Sequence, residues 1–154
     1  MTMQDKSQKL IKQLADRRMT LAVAESCTGG AFMAALVRVP GASEALRGGV
    51  VTYNDDAKVE LVGIKRETID GFGVVSVEVA KEMASGVRAK LCADIGVGVT
   101  GYAGPGGTDV GEVCFGIVFE DEEFTFAKKF TGMTRGEVID ASVDFLVRLL
   151  YEKV

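Results

Sequence analysis

The segment that decides the fold reads Ala24-Glu25-Ser26-Cys27-Thr28-Gly29-Gly30. It follows an apolar run at 21–24 and precedes an apolar helical pattern, so it predicts a strand, a tight turn and a helix start. Such a turn presents unpaired backbone N–H groups and the positive end of a helix dipole, which together suit an anion. It also places two candidate nucleophiles, Ser26 and Cys27, at the mouth of a sheet. The plainer interpretation is that Ser26 or Thr28 only caps the helix, a frequent role for small polar residues.

The composition limits the classes of protein to which the chain can belong. Its 154 residues, 47% hydrophobic and 26% charged, predict one globular domain over 1–154. A net charge of −4 argues against nucleic acid as the main partner. No apolar run approaches the roughly 20 residues that a membrane span requires, and the first residues show no signal-peptide pattern. We therefore expect a cytoplasmic protein without a membrane partner.

The chain contains no histidine and only three scattered cysteines. The usual general base and the commonest zinc ligand are thus missing, so we expect no metal and no Ser-His-Asp triad. Any hydrolysis must use Lys, Tyr, Ser, Thr, Cys or carboxylates. The cysteines are expected to be reduced, and Cys92 and Cys114 to lie in the core.

Hydrophobic periodicity and capping residues predict alternating helices and strands, followed by a hairpin. Helices are expected over 4–18, from 31 to near 39 and over 57–62. Two further helices are expected, one after the cap Ser76 with a buried stripe that reaches Leu91, and one after the Thr134/Glu137 capping box with Phe145 buried. Strands are expected over 20–24, 47–53, 95–100, 112–119 and 123–130. This order predicts a mixed sheet with helices on both faces.

Polar segments follow three of these strands, at 26–28, 53–54 and 100–101. Ligands of open α/β sheets collect beyond the carboxyl ends of the strands. If the three strands are parallel neighbours, the three segments form one pocket.

Lys58 is a candidate general base because it falls in the first turn of a helix capped by Asn54 or Asp55. The helix dipole opposes a cation there and favours the neutral amine. The alternative is a solvated lysine kept charged by neighbouring aspartates. Ser26 and Cys27 compete as nucleophiles; adjacent side chains at a strand end point to opposite sides, so we expect only one in the pocket.

A glycine-rich loop spans 101–111 and lacks both the Walker A ending and the GxGxxG spacing. Its N–H groups could approach a phosphate, or it could be a flexible connection. Arg135, at the predicted start of the last helix, is either a phosphate ligand or a surface arginine.

Four motifs, read together, resemble the CinA C-terminal domain family over about residues 5–150. They are 24–30, Gly-Gly-Val-Val-Thr-Tyr-Asn-Asp-Asp-Ala-Lys at 48–58, Gly-Val-Val-Ser at 73–76, and Val-Thr-Gly-Tyr-Ala-Gly-Pro-Gly-Gly at 99–107. The resemblance implies an α/β fold, a three-layer α/β/α sandwich with a mixed sheet. It also implies an amidohydrolase that converts nicotinamide mononucleotide to nicotinate mononucleotide and ammonia, with no cofactor. The expected partner is a small-molecule pyridine nucleotide, and the expected state is a homo-oligomer.

The resemblance also assigns roles to individual residues. Ser26 matches the family's nucleophile, Tyr53 and Lys58 match the polar pair of the second motif, and Thr100 matches the threonine of the last. We assign proton transfer to Lys58, assisted by Tyr53. The residues expected to bind substrate are Cys27, Thr28, Gly29, Gly30, Asn54, Gly101, Gly104, Gly106 and Arg135.

Two features depart from the family pattern. The segment 108–111 is shorter than usual, and near the last helix start only Arg135 remains of two arginines. The alternative to an enzyme is therefore a non-catalytic nucleotide-binding or regulatory module of the same fold. A third interpretation is an oligomeric scaffold in DNA uptake.

Overall fold

The computed structural model describes all 154 residues, Met1–Val154. In chain order the elements are α1 (Met3–Asp16), β1 (Leu21–Glu25), α2 (Ala31–Val37), a short 3-10 turn (Ala42–Glu44), β2 (Leu46–Val51), α3 (Asp55–Val62), α4 (Arg66–Phe72), α5 (Val77–Lys90), β3 (Ile95–Gly101), β4 (Glu112–Val118), β5 (Glu123–Lys129) and α6 (Arg135–Lys153). Every predicted element is present. The sequence did not predict the short 3-10 turn or α4, a seven-residue helix whose N-cap, Lys65, makes no side-chain capping bond.

The sheet has the order β2-β1-β3-β4-β5. β1 is parallel to both β2 and β3, whereas β3–β4 and β4–β5 are antiparallel. α1, α2 and α6 cover one face, and α5 crosses the other face with α3 and α4 beside it. This arrangement confirms the predicted α/β fold with a mixed sheet and helices on both faces.

Glycines in β3 allow α5 to lie directly on the sheet. A Cβ at Gly96 or Gly98 would collide with the α5 backbone at Ala84 or Ala80. Side chains at these positions would therefore push the helix away from the sheet. The alternating Gly-Val-Gly-Val pattern of β3 thus has a packing reason, with the valines filling the opposite core.

The helix caps form as the sequence predicts. Asn54 accepts a hydrogen bond from the Ala57 N–H at 2.8 Å and so starts α3. Thr134 and Glu137 form a reciprocal capping box that starts α6. These two local signals place Lys58 and Arg135 at the beginnings of their helices.

Some burial predictions were wrong. Cys92 is exposed, because it lies in the turn after α5 with a φ of 52°; Cys114 is buried, as predicted. Phe145 and Leu91 are only partly buried. None of the helices combines the length and the apolar character that crossing a membrane requires.

Candidate active site

The carboxyl ends of β1, β2 and β3 meet at one edge of the sheet, because the three strands are parallel neighbours. A cavity of about 270 Å³ opens there. Its lining comes from all four motifs and from the start of α6: Ser26, Cys27, Tyr53, Asp55, Lys58, Val74, Val75, Thr100, Gly101, Tyr102, Ala103, Gly104, Gly106 and Arg135. The sequence motifs, far apart along the chain, thus converge on one site.

Lys58 and Ser26 are in direct contact at the bottom of this cavity. The Lys58 Nζ donates hydrogen bonds to Ser26 Oγ and to the Thr52 carbonyl oxygen, each at 2.9 Å. Lys58 is 1% exposed, so the alternative of a solvated lysine is wrong. With the amine neutral, the Ser26 hydroxyl can donate to its lone pair instead, which is the geometry of a serine activated by a base.

Burial lowers the pKa of Lys58 below its usual value of 10.5, since the charged ammonium loses its hydration. The carboxylate of Asp55 and the Cys27 thiol act in the opposite direction. No carboxylate forms an ion pair with Lys58. From the sequence, the helix dipole was expected to favour the neutral amine. In the structure, desolvation is the largest cause of the lowered pKa of Lys58.

Cys27 lies beside Ser26 but in a less polar environment. Both residues line the cavity, and the expectation that only one of the two side chains faces it stays a prediction. Cys27 also belongs to the hydrophobic core on the α1/α2/α6 face. Burial raises the pKa of its thiol to about 12, and Glu25 adds to the effect. The thiol is therefore protonated at neutral pH, a poor nucleophile.

The predicted anion site at the start of α2 is already filled by a side chain of the protein. The buried carboxylate of Glu25 accepts hydrogen bonds from the N–H groups of Gly30, Phe32 and Met33 at 3.0–3.2 Å and from the Thr28 hydroxyl at 2.5 Å. Thr28, Gly29 and Gly30 do not line the cavity. A local carboxylate already satisfies the helix N-terminus, and the role of these three residues as substrate ligands stays a prediction.

We expect Glu25→Ala to lower the free energy of unfolding by about 3 kcal/mol, because it leaves several buried N–H donors without an acceptor. Urea unfolding followed by circular dichroism would measure the loss. Glu44→Ala is the matched control, since Glu44 is an exposed carboxylate. Similar small losses in both variants would contradict the capping role of Glu25.

Asn54 and Thr100 differ in their position relative to the cavity. The Asn54 side chain caps α3, and Asn54 is not among the residues that line the cavity, so its role as a substrate ligand stays a prediction. Thr100 does line the cavity, and its buried hydroxyl donates to the Val74 carbonyl oxygen at 3.0 Å. This bond ties the end of β3 to the segment that leads into α5.

Arg135 lies on the cavity wall opposite the strand ends. Its guanidinium donates to the Tyr53 hydroxyl at 2.7 Å and to the Gly104 carbonyl oxygen at 2.5 Å. The last helix therefore starts beside the glycine loop, which is the condition under which Arg135 could reach the site. Gly101, Gly104 and Gly106 line the same cavity.

Sequence reasoning missed several contributors to the site. Asp55 is the single carboxylate in the lining, and Tyr102, Val74, Val75 and Ala103 complete the lining. Thr52 contributes only its carbonyl oxygen, so no side-chain pattern could have indicated it. Asp55 and Tyr102 stand inside two of the motifs, and their position next to assigned residues was the available signal.

Comparisons with known proteins agree with this geometry. The model of the CinA C-terminal domain family matches residues 3–154. A CinA-like protein of Thermotoga maritima is 46% identical over 127 residues, which cover 80% of this chain and 31% of that protein. The structure of a competence or damage-inducible protein from Enterobacter asburiae has a TM-score of 0.95 at 34% identity, covering 99% of this chain and 98% of the other. A CinA superfamily protein from Klebsiella pneumoniae gives the same TM-score and coverage at 32% identity.

This chain spans about a third of the length of the curated relatives that it matches. It spans nearly the whole of the matched solved structures. The motifs, the fold and the family match together show that the chain belongs to the CinA C-terminal domain family.

Proposed function

We propose that this chain is an amidohydrolase that converts nicotinamide mononucleotide to nicotinate mononucleotide and ammonia. The observation that carries the proposal is the buried contact between Lys58 Nζ and Ser26 Oγ at 2.9 Å. A serine is a weak nucleophile at neutral pH and needs an adjacent base. In a chain without histidine, a lysine whose pKa is lowered by burial can supply that base.

The proposed reaction has two halves. In the first, neutral Lys58 takes the proton of the Ser26 hydroxyl while Oγ attacks the amide carbon; Lys58 then gives the proton to the leaving nitrogen, and ammonia departs. In the second, Lys58 takes a proton from water, the hydroxide attacks the acyl carbon, and Lys58 returns the proton to Ser26 Oγ as the ester bond breaks. The sum is amide plus water giving carboxylic acid plus ammonia, with the serine and the lysine regenerated.

The Thr52 carbonyl orients the base for both halves. It accepts one N–H of Lys58 at 2.9 Å. A neutral amine retains a second N–H and one lone pair. Fixing one N–H on Thr52 helps to direct the lone pair to Ser26.

Arg135 is the proposed ligand for the substrate phosphate. It is the one arginine in the lining, and a guanidinium can hold two phosphate oxygens at once. Its hydrogen bonds to Tyr53 and Gly104 occupy two of its five N–H donors and hold it at the cavity wall. Tyr53 thus acts in the proposal as a support of Arg135 as well as a neighbour of Lys58.

We expect Arg135→Ala to weaken binding of nicotinamide mononucleotide by about tenfold or more, since a charge-assisted hydrogen bond contributes about 1.5–3 kcal/mol. Binding of the nucleoside, which lacks the phosphate, should change little. Calorimetry with both ligands measures the difference, and Arg66→Ala, an exposed arginine outside the cavity, is the control. Equal losses for nucleotide and nucleoside would remove Arg135 from the phosphate site.

The proposed activity is tested by incubating the purified protein with nicotinamide mononucleotide and measuring both ammonia and nicotinate mononucleotide. We expect the two products in equal amounts. Binding of the nucleotide without either product would favour the alternative, a nucleotide-binding or regulatory module.

A further inference from the structure

Tyr102 is an aromatic residue of the cavity to which the proposed reaction gives no role. Tyr102 lines the cavity and is 42% exposed. Leaving so large a side chain in water forgoes the stabilisation that burial of its apolar face would provide. The aromatic pairs of the chain form between phenylalanines on and near β4, β5 and α6, and Tyr102 belongs to none of them.

The backbone of Tyr102 is held firmly although its ring is not. Its N–H donates to the Glu112 carbonyl at 2.9 Å, and its own carbonyl accepts from the Gly111 N–H at 2.7 Å. These two bonds close the base of the glycine loop. The hydroxyl of Tyr102 makes no hydrogen bond within the chain, whereas the hydroxyl of Tyr53 is held by Arg135. Of the two tyrosines in the lining, Tyr102 is therefore the one whose hydroxyl has no hydrogen-bond partner in the protein.

Tyr102 also lies close to the proposed nucleophile. The preceding residue, Gly101, packs so tightly against Cys27 that a Cβ there would lie 3.1 Å from the Cys27 sulfur. Cys27 is the neighbour of Ser26, so the segment that carries Tyr102 approaches the reacting end of the cavity at Gly101. In nicotinamide mononucleotide the amide is bonded directly to the pyridinium ring. A substrate whose amide carbon meets Ser26 must bring that ring to the same end.

We propose that Tyr102 determines specificity for a flat, cationic ring by stacking on the pyridinium of the substrate, an inference that rests on the proposed function. The face of a tyrosine ring carries negative potential and attracts a cation, and offset stacking adds to this attraction. The fixed backbone leaves only the two side-chain torsions of Tyr102 to be ordered on binding. In this arrangement Arg135, supported by Tyr53, binds the phosphate at the other end of the substrate.

The test compares nicotinamide mononucleotide with ribose 5-phosphate, which lacks the ring. Binding is measured by calorimetry in the Ser26→Ala background, where the proposed turnover is blocked. We expect Tyr102→Leu to weaken nucleotide binding by about 5- to 20-fold, in the range of aromatic stacking on a base. Binding of ribose 5-phosphate should stay within about twofold. Tyr102→Phe should retain binding of both ligands, and Tyr151→Leu is the control because Tyr151 is similarly exposed but outside the cavity.

Kinetics of variants that retain Ser26 give a second readout. Losing a ring contact that is made equally in the ground state and the transition state raises KM and leaves kcat unchanged, so this is the expected effect of Tyr102→Leu. Nuclear Overhauser contacts between the Tyr102 ring and the pyridine protons, observed in the Ser26→Ala protein with Tyr102 intact, do not depend on the folding of Tyr102→Leu.

Equal weakening of both ligands by Tyr102→Leu, or no weakening of either, would overturn the inference. So would the absence of the Overhauser contacts in a saturated complex. If the protein binds the nucleotide through Tyr102 but releases no ammonia, the proposed function fails and the ring contact stands. If ammonia is released and Tyr102→Leu changes nothing, only the ring contact fails.

Discussion

Replacing Ser26 by alanine is expected to lower kcat for amide hydrolysis by at least about 10³-fold, because no acyl-enzyme can form without Oγ. The nucleotide should still bind, since its proposed phosphate and ring contacts do not use this hydroxyl. Release of ammonia measures the rate, and calorimetry measures the affinity.

Cys27→Ala is the matched control for Ser26→Ala. The residue lines the same cavity, but burial keeps the thiol protonated, with a pKa of about 12. We expect Cys27→Ala to retain activity within about tenfold, the loss reflecting a small packing defect beside the nucleophile. A large loss in Cys27→Ala together with an active Ser26→Ala protein would transfer the nucleophile's role to the thiol.

Lys58→Met is expected to lower kcat by about 10²- to 10⁴-fold, the usual contribution of a general base. Methionine keeps an unbranched apolar stem in the buried position but has no amine to take the Ser26 proton. Lys65→Met, at an exposed lysine, is the control. Retention of most of the activity in Lys58→Met would exclude proton transfer through Lys58.

The pH dependence of the wild-type rate follows from the same residue. Only the neutral amine can accept a proton, so kcat/KM should rise with pH through the pKa of Lys58, which burial places below 10.5. The rise should be absent from the residual rate of Lys58→Met. A rate that is independent of pH in the wild-type protein would contradict a titrating base.

The stability of the folded protein should also increase as pH rises. Because the pKa of Lys58 is lower in the folded state, the unfolded chain binds more protons between the lowered pKa and 10.5. The free energy of unfolding therefore gains a positive contribution as pH rises through that window. Below it, the charged amine destabilises the fold. Lys58→Met should lose this contribution, which urea unfolding at several pH values would show.

The local parts of this site could be predicted from the sequence because their signals act over a few residues. Asn54 and Thr134 are caps whose partners lie three residues further along the chain. The alternation of apolar residues and glycines identified the strands that end at the cavity. The motifs named the pair Ser26 and Lys58, and the structure brings the two side chains to 2.9 Å.

Other features of the fold could not be predicted, because they depend on contacts made by the folded chain or on how far a side chain is buried. The glycine turn predicts an anion site in any sequence, but a strand residue, Glu25, folds back and fills it. Cys92 has apolar neighbours in sequence and is nevertheless exposed, in the turn after α5, where its φ is 52°. The local pattern of residues is the same whether the helix N-terminus is free or filled by Glu25, and whether Cys92 is buried or exposed. The pattern alone could therefore not predict either outcome.

The sequence by itself determined the order of helices and strands, the mixed sheet and the family, because periodicity, capping and motif spacing are properties of short segments. The tertiary structure alone decided which charged groups are buried and what they meet. Lys58 is desolvated only because β1, β2 and β3 are parallel neighbours that close around it, and Arg135 reaches Tyr53 across 82 positions of the chain. A pKa depends on the dielectric surroundings and the charges within a few ångströms in space. The base, the protonated thiol and the guanidinium on the cavity wall therefore acquire their chemistry only in the folded protein.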